Sequence, residues 1–296
     1  PLSIRGGFSS ISSMENPLII YFLGDDEETV TILTDGEGLI YGMGVDSGLP
    51  DFRGPKGFWQ AYPPLKKLGI AFEKMANPSW FRENPALAWG FYGHRLQLYR
   101  KTTPHNGYKI ILKWIEELSL DHFIFTSNVD AHFQKVGFDE NKIYECHGSI
   151  MQFQCSHNCG QEVWMPSPDF QLLIEERSLE AKDPLPLCPR CKAIARPNIL
   201  MFSDWDWDAK HSSIQQRKYS DWLDHNGNKN LVVLEIGAGE NIPTVRLECE
   251  SVYSLQKAPF IRINPIEYKI PRGGISIQLG GMQALEEMEK QRGFNA

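Results

Sequence analysis

His122-Phe123-Ile124-Phe125-Thr126 runs directly into Ser127-Asn128-Val129-Asp130, a compact apolar stretch that ends in short polar residues. Leu231–Ile236 (LVVLEI) ends in the same way, in Gly237-Ala238-Gly239-Glu240-Asn241, and the shorter Phe260–Ile263 (FIRI) ends in Asn264-Pro265. Near-continuous apolar runs of this length mark strands buried on both faces. Helical patterns at Pro85–Arg100, Gly107–Glu117 and Met282–Arg292 accompany them, Leu87, Phe91, Leu98 and Tyr99 marking the first. The expectation is an α/β fold, a parallel sheet with helices on both faces. Ligands on such sheets bind beyond the carboxyl ends of the strands, so the three polar tails are where a site is expected.

The segment Cys146–Ala195 differs in character, with several prolines and no long apolar strand. Cys155 and Cys159 form one close pair; after a gap of 28 residues Cys188 and Cys191 form another, around a knuckle turn at Pro189-Arg190. Two tight pairs suit a closed tetrahedral Zn2+ site, which is structural because no coordination position is open. His157 is an alternative fourth ligand, and unligated reduced thiols are the competing reading. The chain then divides into an N-terminal extension (1–28), a main domain in two pieces (29–145 and 196–296, with a helical module at about 55–105) and a small zinc-binding domain (146–195).

Composition excludes several classes. Of 296 residues 42% are hydrophobic and 23% charged, and the net charge is −7. That balance gives no footprint for nucleic acid. No apolar run reaches the roughly 18 residues of a membrane span. Leu18–Leu23 is too short for a signal-peptide core, and acidic residues flank it. A cytoplasmic, intracellular protein is expected; the oligomeric state is not legible.

Gly42-Met43-Gly44-Val45-Asp46-Ser47-Gly48-Leu49-Pro50-Asp51-Phe52-Arg53-Gly54 is rich in glycine, which lets the backbone turn and approach a ligand closely. Its amides suit a phosphate, Arg53 suits phosphate or ribose, and Phe52 suits a planar ring. SGLPDFRG within it resembles the SGIPDFRG loop of sirtuins. Thr126–Asp130 (TSNVD) is similar to their TQNID strand end, and Glu145-Cys146-His147-Gly148 to the stretch carrying their histidine. Arg196–Asp204 (RPNILMFSD) resembles their RPxVVWFGE segment, Gly237-Ala238-Gly239 stands where they have GTS, and Ile263-Asn264 resembles their late I-N motif. The matches run in order from about residue 39 to 285, as in a divergent member of bacterial type.

The resemblance implies a Rossmann-like large domain, a zinc-binding small domain and NAD in the cleft between them. It also implies an enzyme that transfers acyl groups from protein lysines to ADP-ribose, giving nicotinamide, O-acyl-ADP-ribose and deacylated lysine. His147 is then the general base, a role its ordinary titration range suits, with Asn128 and Asp130 beside it. The cofactor set comprises Gly42, Met43, Gly44, Asp51, Phe52, Arg53, Ser127, Asn128, Val129, Asp130, Gly237, Ala238, Gly239, Asn264 and Pro265. Ile199, Leu200 and Phe202 are candidates to line a channel for the acyl-lysine stem. Tyr92 and Arg95 share one helix face, and this Tyr-x-x-Arg resembles the sirtuin class that removes succinyl and malonyl groups, where arginine pairs with the acyl carboxylate.

The chain also departs from the pattern. Ile40, Tyr41 and Gly42 stand where sirtuins have Gly-Ala-Gly, and a β-branched residue resists a left-handed backbone. Ser127 replaces Gln, Ser203-Asp204 replaces Gly-Glu, and Ala238-Gly239 replaces two hydroxyl-bearing residues. Glu240 is expected to face solvent. Two other readings compete with deacylation: ADP-ribosyl transfer or NAD hydrolysis, and a non-catalytic binding module that keeps the fold.

Overall fold

The computed structural model describes residues 28–34, 43–50, 55–226 and 230–294. Ten strands lie among them: β1 (Glu28–Thr34), β2 (Asp121–Thr126), β3 (Ile143–Glu145), β4 (Gly148–Cys155), β5 (Ile174–Glu175), β6 (Glu180–Ala181), β7 (Ala195–Ile199), β8 (Asn230–Ile236), β9 (Phe260–Ile263) and β10 (Ile275–Ile277). Six build one sheet in the order β10-β9-β8-β1-β2-β3, and every pairing in it is parallel.

From β1 the chain steps outward to β2 and β3, then returns to the other side of β1 as β8. The order therefore reverses between β1 and β8, the switch point at which open α/β sheets hold ligands. Register sharpens this. Thr34 is level with both Thr126 and Ile236, Thr126 with Glu145, and Ile236 with Ile263. The carboxyl ends form one row, and every tail leaves from the same edge.

β2, β8 and β9 are buried on both faces because their side chains alternate between two cores. Phe123, Phe125, Leu231, Val233 and Phe260 pack with Tyr219, Trp222, Val245 and Val252 on one side. Ile124, Val232, Leu234, Ile261 and Ile263 pack with Ile111, Trp114 and Leu285 on the other. The covering helices are Lys210–Asn226 and Thr244–Gln256 on the first face, and Asn106–Glu117 and Gly281–Phe294 on the second.

A third core joins the helical module to the cysteine-bearing segment: Phe58, Tyr62, Trp89, Phe91 and Tyr92 meet Phe153, Leu172, Leu179 and Ala195. The helix Pro85–Lys101 is buried on several sides at once, so its apolar residues do not confine themselves to a single stripe. Trp89 Nε1 donates to the Ala195 carbonyl at 2.8 Å. At Gly90 a Cβ would lie 1.7 Å from the Leu179 carbonyl oxygen, so only glycine fits. The segment expected to lack a long strand contains the eight-residue β4. Its pairing with β7 shifts register between Ser149 and Phe153, and that irregularity breaks the alternation by which a strand is read.

Candidate active site

Each tail brings its residues to the switch point by a local device. Gly237 adopts a φ of +75°, and its amide donates to the Ile263 carbonyl at 2.9 Å. Asn264 Nδ2 donates to the Ala238 carbonyl at 3.1 Å, while its Oδ1 accepts from the amides of Ile266 and Glu267. Asn264 thus ties the β8 and β9 tails together, and its polar atoms are engaged by backbone. Ala238 and Gly239 are buried, and Pro265 is half-buried. Glu240 faces solvent, with Oε1 3.3 Å from Arg246 Nη2.

After β2 the Asn128 amide bonds to Thr126 Oγ1 at 3.0 Å. Ser127, Asn128, Val129 and Asp130 are all buried. Asp130 Oδ1 accepts from the His132 amide at 2.9 Å. Both amide atoms of Asn128 are buried without a hydrogen-bond partner. An unpaired buried polar group costs about 1–3 kcal/mol, so an arrangement of this kind is suited to a polar ligand.

His147 follows β3 and is half-buried. Its Nε2 lies 3.4 Å from Thr244 Oγ1, at the start of the helix Thr244–Gln256, and its carbonyl accepts from the Leu200 amide at 3.0 Å. Thr244 carries no signal in its sequence neighbourhood; only the fold brings it here. Two residues earlier, Glu145 is buried, and burial pushes its carboxyl up to about 7.

His147 lines a cavity of about 190 Å³ together with Ser127, Val129, Tyr92, Arg95, Ile199, Leu200 and Phe202. Phe72, Ala76, Met201 and Ile242 complete its wall, and these sequence reasoning did not single out. The Arg95 guanidinium is buried among aromatic rings, 5.5 Å from the Phe91 centroid, and Nε donates to Tyr99 Oη at 3.0 Å. A bidentate pair between Arg196 and Asp204, at 2.7 and 2.9 Å, holds the loop that follows the Phe202 side of the cavity.

Of the glycine-rich string, Gly42, Asp51, Phe52 and Arg53 lie outside the described residues, as do Ile40 and Tyr41. Met43 and Gly44 begin the helical turn Met43–Asp46. The Met43 side chain is part of the sheet core, so it is not presented to a cleft. Asp46 Oδ2 accepts from the Met282 amide at 2.8 Å, at the start of the last helix.

In the small lobe, Cys155, Cys159, Cys188 and Cys191 bring their sulfurs within 4.8 Å of one another. The closest approaches are 3.5 Å for Cys155 with Cys191 and 3.6 Å for Cys159 with Cys188. Four thiolates about 2.3 Å from a tetrahedral zinc would be about 3.8 Å apart, so the donor set and its spacing suit that ion. β4 delivers Cys155, and a bridge between Leu187 and Ile194 closes the hairpin carrying Cys188 and Cys191. His157 is exposed and is not in the group.

A Rossmann-type sheet with polar tails at its switch point, and a four-thiol lobe packed through a helical module, define an α/β protein with a cysteine-clustered insertion. The chain belongs to the Sir2 family, whose model matches residues 41–227. Among curated relatives it is similar to an NAD-dependent protein deacylase of Aquifex aeolicus, 31% identical over 166 residues, 55% of this chain and 59% of the relative. One of Leptospira interrogans is 31% identical over 184 residues, 62% of this chain and 65% of the relative. The matches thus span about six-tenths of the curated relatives' length. A solved Sir2 homolog–NAD complex superposes with a TM-score of 0.65 at 18% identity, covering 94% of each chain. A mutant Sir2 homologue–ADP ribose complex gives 0.65 at 19%, covering 94% of this chain and 97% of that one. At that identity the likeness is one of fold. No helix among the described residues is long and apolar enough to cross a membrane.

Proposed function

We propose that this chain is an NAD-dependent protein-lysine deacylase. The observation that supports it is the shared cavity: His147, the β2 tail and the buried pair Tyr92 and Arg95 face one hollow at the row of strand ends. NAD, when bound, supplies the ribose carbon that accepts the acyl oxygen and releases nicotinamide. The residues that would hold it are those of the tails, with Asn128 offering its unpartnered amide and Asp130 a carboxylate. His147 would serve as general base toward a ribose hydroxyl of the bound dinucleotide. Ile199, Leu200 and Phe202, the last two exposed at the cavity, would lie along the apolar stem of the acyl-lysine. Zn2+ on Cys155, Cys159, Cys188 and Cys191 is structural.

The acyl group we assign is an acidic one, succinyl or malonyl. Arg95 lines this cavity beside Tyr92, and a guanidinium at its wall suits the carboxylate of such an acyl group. The partners are acylated protein lysines. We assign the protein to the cytoplasm, where reducing conditions keep metal-binding thiols available.

The test is incubation with NAD and either acetyl- or succinyl-lysine peptide, read by mass spectrometry. Peptide-dependent O-acyl-ADP-ribose, lost in His147→Ala, is expected. Free ADP-ribose formed equally without peptide would replace this reading with NAD hydrolysis.

A further inference from the structure

Six polar side-chain atoms in one buried neighbourhood make no hydrogen bond within 3.5 Å: Nδ2 and Oδ1 of Asn128, Oη of Tyr108, both ring nitrogens of His132 and Nε2 of His105. Tyr108 and His132 have no exposure and Asn128 only 3%. Three elements bring these side chains together. Tyr108 stands on the helix Asn106–Glu117, Asn128 on the β2 tail and His132 at the start of the helix His132–Val136. The Tyr108 ring meets the imidazole edge-on, with centroids 5.8 Å apart. His132 Nδ1 lies 3.6 Å from Asp130 Oδ2, while the same residue's amide already holds Asp130 Oδ1. Buried polar atoms left unbonded are costly, and these side chains stand close enough to bond to one another.

We propose that Asn128, Tyr108, His132 and Asp130 close into one directional hydrogen-bond relay, which decides the atom of the Asn128 amide that is left to a ligand. The direction follows from donor chemistry. An ionised Asp130 only accepts, so His132 carries its proton on Nδ1. A neutral imidazole then accepts at Nε2, and the Tyr108 hydroxyl donates to it. The Tyr108 oxygen accepts from Asn128 Nδ2, leaving Asn128 Oδ1 as the acceptor a ligand would meet. Burial lowers the His132 pKa against the pull of Asp130, and Lys135 adds to the lowering, in keeping with a neutral ring. His105 borders the relay: its Nδ1 accepts from the Gly107 amide at 2.9 Å, so its unbonded Nε2 carries the proton, and its ring lies tilted 4.9 Å from that of Tyr108, whose oxygen has a second lone pair to accept from it. Tyr108 and His132 are thus positioning residues, and their use rests on the cofactor reading: an acceptor at Asn128 suits an amide N–H or hydroxyl of the dinucleotide.

Two measurements on the full chain test the relay. The first is the nitrogen NMR spectrum of histidine-labelled protein without cofactor, with His132→Asn assigning the resonance. His132 is expected neutral and protonated at Nδ1, and Tyr108→Phe should move its Nε2 resonance. An Nε2–H tautomer, or an unmoved resonance, overturns the relay. The second is calorimetric titration with NAD. Tyr108→Phe and His132→Leu should each weaken binding about tenfold, and the double variant about tenfold rather than a hundredfold, because one break disables the chain. Additive losses count against it. A flat titration of the wild type overturns the cofactor reading itself, and is told apart from failure of the relay, which leaves wild-type binding intact.

Discussion

Glu145→Gln should make the protein more stable at alkaline pH, although it removes a charge beside the site. Glu145 is 4% exposed, its Oε1 meets no hydrogen-bond partner, and burial raises its carboxyl from 4.5 to about 7. The folded state therefore holds this proton more tightly than the unfolded chain does. Such a group stabilises fully below its unfolded value and ceases to as pH rises through the folded one. At 1.36 kcal/mol per pH unit the loss between pH 4.5 and 7 amounts to about 3 kcal/mol. Glutamine keeps the shape without the titration, so the variant should gain that order of stability at pH 8, roughly 5 °C in Tm for a domain of this size. His105 acts on the acid side, since burial lowers its pKa from 6.5 to about 4; its contribution is present above 6.5 and lost toward 4, in both proteins alike. The assay is thermal unfolding of both proteins from pH 5 to 9. Curves that stay parallel throughout, or a variant less stable at pH 8, would refute the assignment of a strained buried carboxylate.

Arg95→Met should lower kcat/KM for succinyl-lysine peptide at least tenfold while sparing acetyl-lysine peptide, because only the former needs the buried cation; competition assays with the two peptides measure it. Cys188→Ser should lose stoichiometric zinc by elemental analysis and lower Tm, since three thiolates leave the site open. Asp204→Asn strips the partner from a guanidinium that is 1% exposed, a change costing roughly 3–5 kcal/mol, to be read by urea unfolding.

The sheet was legible because strands buried on both faces keep their apolar character along their length. Asp121–Thr126, Asn230–Ile236 and Phe260–Ile263 carry that signal directly. β1 did not stand out: Glu28-Thr29-Val30-Thr31-Ile32-Leu33-Thr34 alternates hydroxyl with apolar side chains and adjoins acidic residues. It is nevertheless the central strand, because pairing on both sides is a tertiary fact. β3 and β10, at three residues each, are too short to show a period. The spacing of Cys155, Cys159, Cys188 and Cys191 held the metal chemistry within one local stretch. Thr244 beside His147, by contrast, is separated from it by 97 positions in the chain, and no local pattern records such a contact.

Register explains why these separated motifs meet. In a parallel sheet each strand must return to the same edge before it pairs again, so every connection delivers one tail to a common rim. Here the ends of β3, β2, β1, β8 and β9 stand level. A one-residue slip of β3 against β2 would move His147 by about 3.3 Å along the strand and turn its side chain to the opposite face. What prevents the slip is burial: Ile143 and Tyr144 sit in opposite cores, and exchanging them would place each ring or methyl against the wrong packing surface. The position of the candidate base is therefore set by two apolar residues that never touch the cleft, and a change such as Ile143→Thr should reach the chemistry through the register of β3.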